Sequence, residues 1–335
     1  MNSKTGALSN LGSRIGAVLR KYTPQVILLV LLVLFSIMSP NFMTANNLII
    51  IIRQVSFAAI SAVGLMFVMV GGGIDLSIGS QIILTNVVLS IMLAYQHVPL
   101  AIAIPVTLLL GTALGAFNGI LSNKLKIHPL IITLGTAAIY KGVGYIFAAS
   151  RNIMGFPEIF RWFGQGYIGP IPVPIIIMII VVLIGNFVLV RTYFGRYTFA
   201  LGGNEEAARL AGVNTNRMKV ILFSICGFAS GITSVLLLSR VFTGQVATGA
   251  GVEFDCLTAA LLGGVSFKGG EGTVFGLITG VLIIGVLNNA MQLASFPDFS
   301  QNVVKGVVLL AAVGFDTYQK NRKAKETIAK VAVAA

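Results

Sequence analysis

Repeated runs of about 20 apolar residues decide what this chain can become, because each run is long enough to cross a hydrocarbon core as a helix. Candidates fall near residues 24–40, 54–71, 77–95, 99–122, 129–148, 173–191, 218–240, 272–293 and 301–318. A shorter one, about 252–267 ("VEFDCLTAALLGGVSF"), is interrupted by Gly263 and Gly264. Only 10% of the 335 residues are charged, against roughly 25% in soluble domains. The expected fold is therefore all-α and polytopic, with about ten transmembrane helices.

Lysine and arginine settle the count, since cytoplasmic loops carry an excess of them. Ten spans with a cytoplasmic start put most of the 23 basic residues inside and leave Arg53, Arg151, Arg161 and Arg240 outside. Lys141 and Lys305 stay within spans, near their outer ends, where snorkelling accounts for them. Nine spans would turn the basic tail outward. The expected organisation is a cytoplasmic segment over 1–23, one membrane domain over 24–318 and a basic cytoplasmic tail over 319–335. The first apolar run ends in Ser39-Pro40-Asn41 without a small-x-small cleavage pattern, so it reads as a retained span.

The net charge of +13 would suggest a nucleic-acid ligand if it formed a patch on a soluble domain. Here it reports topology, and the partner at these faces is membrane lipid, not nucleic acid. Cys226 and Cys256 sit in apolar stretches as small hydrophobes, and His97 and His128 stand apart beside prolines; no metal site follows. The outer segment 149–172 carries Phe156, Phe160, Trp162, Phe163 and Tyr167, which reads as an interfacial aromatic belt.

The internal segment 192–217 breaks the apolar pattern with "GGNEEAARLAGVN" (202–214). Asn204 is placed to cap a short helix, two acids stand in its first turn, Arg209 near its end, and Gly212 stops it. About eight residues make a helix that is marginal alone. An outside partner is expected, docking on Ala207, Leu210 and Ala211, and the topology makes that partner cytoplasmic.

Glycine, at 38 residues, concentrates in "VGGGIDLSIGS" (70–80), "TGAGVEFD" (248–255) and "LGGVSFKGGEGT" (262–273). These clusters read as helix breaks, with Asp75, Glu253 and Asp255 expected close to the membrane interfaces. Asp75 is expected to receive the amides opening the next helix. "GTALGAFNG" (111–119) echoes "GVLIIGVLNN" (280–289), each glycine-spaced and containing Asn118 or Asn288. That suggests an inverted repeat of spans 2–5 and 7–10, which in transporters frames a midplane route. The motifs of nucleotide-binding loops and hydrolases are not present.

Taken in order, "GGIDLSIGS" (72–80), "HPLIITLGT" (128–136), "GRYTFALGGNEEAARLAGV" (195–213) and "GVEFDCLTAALLGGVSFKGGEGTVFG" (251–276) resemble the permease subunits of bacterial ABC-type importers for ribose, xylose and galactose. The resemblance runs almost end to end. It implies an inner-membrane translocator with both termini cytoplasmic and no cofactor of its own, ATP and Mg residing on a partner ATPase. It also implies a periplasmic or lipid-anchored sugar-binding protein and a second permease copy or paralogue. By resemblance, Gly195, Arg196, Gly203, Asn204, Glu206, Ala207, Ala208, Arg209 and Gly212 couple to the ATPase. Gly73, Asp75, Ser77, Asn118, Glu253, Asp255, Gly263, Gly264, Gly269, Gly270, Gly272 and Asn288 shape the pathway or its gates. Lys268 and the Cys256-Leu257-Thr258 run depart from the family pattern and leave the cargo open. Related machines carry nucleosides or furanone signals, and a proton-coupled secondary transporter using the three acids, or a non-transporting scaffold, are the competing classes.

Overall fold

The computed structural model describes residues 23–149, 151–297, 299–314 and 317. The segment over 1–23 lies outside the described residues save for Thr23, and the tail over 319–335 lies outside them entirely. The chain runs through α1 (Thr23–Met38), α2 (Ala45–Val70), α3 (Ile78–Ala94), α4 (Leu100–Leu125) and α5 (Pro129–Ala148). After a short 3-10 turn (Glu158–Arg161) come α6 (Trp162–Gln165) and the two-residue strands β1 (Tyr167–Ile168) and β2 (Ile171–Pro172). Then follow α7 (Val173–Arg191), α8 (Tyr193–Gly203), α9 (Glu205–Leu210), α10 (Thr215–Val241), α11 (Val252–Leu262), α12 (Val274–Leu293) and α13 (Phe299–Gly314). The architecture is nearly all-α, with one small antiparallel hairpin where Tyr167 faces Pro172.

Among the described residues, six helices are long and apolar enough to cross a membrane: α2, α4, α5, α7, α10 and α12. The other expected spans are shorter helices, α1, α3, α11 and α13. Span two was expected from residue 54, yet α2 begins nine residues earlier. Asn47 makes this possible: its amide exchanges two 2.9 Å hydrogen bonds with Asn289 of α12 and gives a third to the Phe42 carbonyl. A polar residue that hydropathy counts against a span is here satisfied inside one.

Burial ranks the helices. In their most apolar windows α2 and α10 are 61% buried, whereas α4 and α7 are 22% buried. With α12, 67% buried, the first two form the centre, and the second two turn apolar faces outward. Glycines set how closely the centre packs: Gly111, Gly115 and Gly119 of α4 lie against the backbone of α10 at Gly227, Phe223 and Val220. Side-chain-free contact of this kind lets helices associate without a hydrophobic drive.

The loops divide between two ends. One end gathers 71–73, 122–129, 201–205 and 268. At the other, residues 151–172 form a folded cap: Ile153 and Gly244 pair at 2.8 and 2.9 Å, and the Ser239 hydroxyl receives the Gly164 amide at 2.7 Å. Phe156 and Phe160 are buried in this cap, Phe156 edge-on to Phe242. The expected aromatic belt is therefore a small core in part, with Trp162 and Tyr167 left exposed. Cys226 and Cys256 are free and buried.

Candidate functional site

Two interrupted helices define the site. In the first, α2 stops at Val70, Gly72 turns the chain at φ +85°, and residues 73–77 run back into the bundle before α3 begins. Asp75 is fully buried there. One carboxylate oxygen accepts the Ser77 amide at 2.8 Å and the Ser77 hydroxyl at 2.6 Å; the other accepts Gln81 at 3.1 Å. Asp75 thus receives the amide at the opening of α3, as the sequence suggests. The Ser77 hydroxyl in turn accepts Gln81 and Asn118, each at 2.8 Å, and Tyr140 of α5 donates to Asn118 Oδ1 at 3.0 Å. Polar atoms from the 73–77 turn and three helices close on one another, which is what a low-dielectric interior demands.

The second interruption follows α10. The chain passes Gly244, descends beside α3 and turns at Gly249 and Gly251, both with positive φ, before α11 starts. Within the first turns of α11, Cys256 donates to the carbonyl of Ala58, the middle of α2. Asp255 accepts Lys305 of α13 at 2.9 Å and Asn288 of α12 at 3.4 Å. A cavity of about 230 Å³ opens beside them, lined by Gln54, Arg240 and Gln292 as well as Asp255 and Asn288. Glu253 lies over Gly79, with one carboxylate oxygen buried and unpartnered.

These placements correct the expectation that the three acids lie near the interfaces. Asn118, which holds Ser77, is seven residues from the end of α4, or about 10 Å at 1.5 Å per residue. Glu253 and Asp255 enter near the mid-height of α2. Lys305, taken in the sequence as snorkelling, is instead the ion-pair partner of Asp255, both side chains largely buried. The two interruptions also touch: the Gly249 carbonyl oxygen stands 2.6 Å from where a methyl on Gly79 would be.

The polar 202–214 segment folds as read. Asn204 Oδ1 accepts the Ala207 amide at 2.9 Å, Arg209 pairs with Glu206 at 2.6 Å, and Gly212 takes φ +88°. The helix itself, α9, is six residues long. Ala208 is its one buried residue, while Leu210 is 80% exposed and Ala207 and Ala211 are exposed. The stripe foreseen for docking faces away from this chain. The Arg209 guanidinium holds the Glu206 carboxyl below the usual carboxylate range through a hydrogen bond and its charge. Upstream, Arg196 lies over the Tyr193 ring at 4.2 Å, and Gly195 sits where a methyl would strike the Leu189 carbonyl.

What joins α9 to the interruptions is a junction of glycines. Gly202 lies directly on the Val70 carbonyl, and that carbonyl accepts the Gly270 amide at 2.9 Å. A methyl on Gly269 would stand 2.6 Å from Gly72 Cα, and one on Gly270 would stand 2.9 Å from Gly203 Cα. Three segments far apart in sequence therefore meet backbone on backbone. Of the remaining glycines, Gly263 packs on Gly276 of α12, Gly73 abuts Val68, and Gly264 and Gly272 turn the loop with positive φ. Gly203 faces open space, so Gly202 is the tighter position. The sequence reading missed Gly202, and it missed Gln81 and Tyr140, whose polarity on apolar helices was the available signal. Among the described residues no group of His, Cys, Asp and Glu could hold a metal ion.

A family model described as branched-chain amino acid transport system, permease component, matches residues 47–313. The chain is similar to the ribose import permease protein of Haemophilus influenzae, 38% identical over 92% of this chain and 97% of that one. It is similar to the ribose import permease protein of Escherichia coli K12, 39% identical over 87% and 92%. It is also similar to the L-arabinose transport system permease protein of that strain, 38% identical over 93% and 94%. No solved structure matches the chain. An almost full-length match and a bundle with two interrupted helices lead to one assignment: the chain belongs to the family of branched-chain amino acid transport system permease components.

Proposed function

We propose that this protein is the membrane subunit of an ATP-driven importer that passes a monosaccharide inward. The reading rests on the functions for which its relatives are named, ribose and arabinose transport. The observation that carries it in the structure is the pair of matched interruptions. Asn118 of α4 binds Ser77 at the head of α3, and Asn288 of α12 binds Asp255 in the first turn of α11. Tyr140 of α5 completes the first set and Lys305 of α13 the second. That correspondence is what an inverted repeat of spans 2–5 and 7–10 would produce, with a solute route between the halves.

In this reading the bundle crosses ten times, counting α1, α3, α11 and α13, with both termini cytoplasmic. Gly73, Asp75, Ser77, Glu253, Asp255, Asn288 and the 263–272 glycines form the route and its gates. The short helix α9 sits in a groove of a separate ATPase, which holds ATP and Mg. Glu206 and Arg209 meet that surface, and Ala207 allows close approach. Motion imposed on α9 passes through the Gly202, Gly270 and Gly72 contact to the loops at the foot of both interruptions. A sugar-binding protein loads the opposite face, and a second permease chain completes the assembly. Each partner acts by binding one arrangement better than the other.

Purification from native membrane tests this, with mass spectrometry of whatever remains bound. An ATP-binding-cassette ATPase together with a solute-binding protein is the expected result. Gradient-driven sugar uptake by the chain alone in liposomes would overturn it.

A further inference from the structure

A cleft of about 630 Å³ opens at the α9 end of the bundle, between the α4–α5 turn, the start of α10, the 201–205 stretch and Lys268. Its wall carries Lys126, His128, Lys219 and Lys268, contributed by three separate parts of the chain. One carboxylate also lines it, Glu205, and Lys219 engages it at 2.6 Å. Lys126 and Lys268 have no ion-pair partner among the described residues. Two positive charges are therefore left uncompensated around one concavity. His128 adds a donor: its Nδ1 accepts the Leu130 amide at 3.3 Å, which leaves Nε2 to carry the proton.

Lysines that merely mark a cytoplasmic face spread into water. Here three of them line one cleft, and lysine serves as a point charge for phosphate. The volume exceeds what a bare phosphate fills and lies within the roughly 300–1,000 Å³ of small-molecule sites. We propose that this cleft binds a phosphate-bearing small anion through Lys126, Lys268, Lys219 and His128. Such a ligand bridges the α4–α5 turn and the 263–273 loop across Gly202 and Asn204, and so holds the glycine junction in one arrangement. That regulatory consequence rests on the transport function proposed above; the binding does not.

The full chain in phosphatidylcholine nanodiscs, titrated calorimetrically with ribose 5-phosphate, tests the proposal. Saturable binding is expected, with none for ribose. Lys126→Ala with Lys268→Ala should weaken it at least ten-fold, whereas Lys124→Ala, outside the cleft, should leave it unchanged. All variants should elute as the wild type does, since these side chains are exposed. Native mass spectrometry from nanodiscs containing phosphatidylglycerol separates the two sources of phosphate. Retention of that lipid by the wild type and not by the double variant identifies a headgroup, and its absence a soluble phosphate ester. Failure of both probes to bind, or binding undiminished in the double variant, overturns the proposal. So does a double variant that loses only ATPase co-purification, which would make the lysines a protein contact.

Discussion

Asn118 and Asn288 hold matching stations: each, from the long helix following a short one, donates its side-chain amide near the start of the short one, Asn118 to Ser77, its N-cap, at 2.8 Å and Asn288 to Asp255, in its first turn, at 3.4 Å. The two sites differ in burial. Asn118 is fully buried, and Asn288 borders the 230 Å³ cavity.

That difference sets the first expectation. Asn118→Ala strips Ser77 and Tyr140 of a partner in a dry setting, at a cost of about 1–3 kcal/mol. Asn288→Ala should cost less, because its neighbours border open space. Thermal unfolding of the two variants in one detergent would show Asn118→Ala melting lower, and equal midpoints would refute the distinction.

Removing one partner of a largely buried ion pair costs more than removing both. Lys305→Met alone should lower stability, by less than the about 3–5 kcal/mol of a dry pair because Asp255 borders the cavity, while Lys305→Met with Asp255→Asn should recover much of that loss. Chemical unfolding of the wild type, both single variants and the double variant closes the cycle; strict additivity would mean the pair is not coupled.

At the glycine junction the expectation separates neighbours. A methyl at Gly202 would overlap the Val70 carbonyl, whereas one at Gly203 meets open space. Gly202→Ala should destabilise by about 1–3 kcal/mol, as overpacking does, and reduce uptake in cells; Gly203→Ala should be near wild type in stability. Membrane abundance and radiolabelled-sugar uptake measured side by side check this.

Glu206 tests α9. Its pair with Arg209 is fully exposed, so Glu206→Gln should leave the unfolding midpoint nearly unmoved at neutral pH and physiological salt. Because the carboxyl is held below its ordinary range, the pair's contribution is present above that range and fades as pH falls through the folded value. Uptake per ATP hydrolysed in the assembled importer should nevertheless drop. A variant with normal coupling would show that α9 does not bear on the ATPase through this residue.

Much of this was legible in the sequence for a physical reason: Asn204, the paired acids, Arg209 and Gly212 act locally, so α9 could be read almost residue by residue. The helix positions were legible because lipid exposure keeps the runs apolar. What hydropathy could not show was depth. It averages over a window, so a turn that bends back inward, as 73–77 does, looks like a loop between two spans. Asp255 then seems interfacial, and Lys305 seems to snorkel, because the partners of Asp255 lie 33 and 50 residues away; Asp75 seems interfacial because the inward turn that buries it with Ser77 and Gln81 leaves no mark on a window average. The Asn47–Asn289 exchange misled in the same way, since it cancels across 242 residues what each asparagine loses alone. Gly202 carried no signal at all; its need for glycine comes from Val70 and Gly270, which only folding brings near.

The contact of Gly72, Gly202 and Gly270 has a mechanical corollary. Side chains at an interface can change rotamer and so absorb a displacement of an ångström or more. A joint made of main chain has no such slack. Movement imposed on the 202–213 segment by a partner would therefore reach the 263–273 loop without backlash, and the joint would return to the same seat after every stroke.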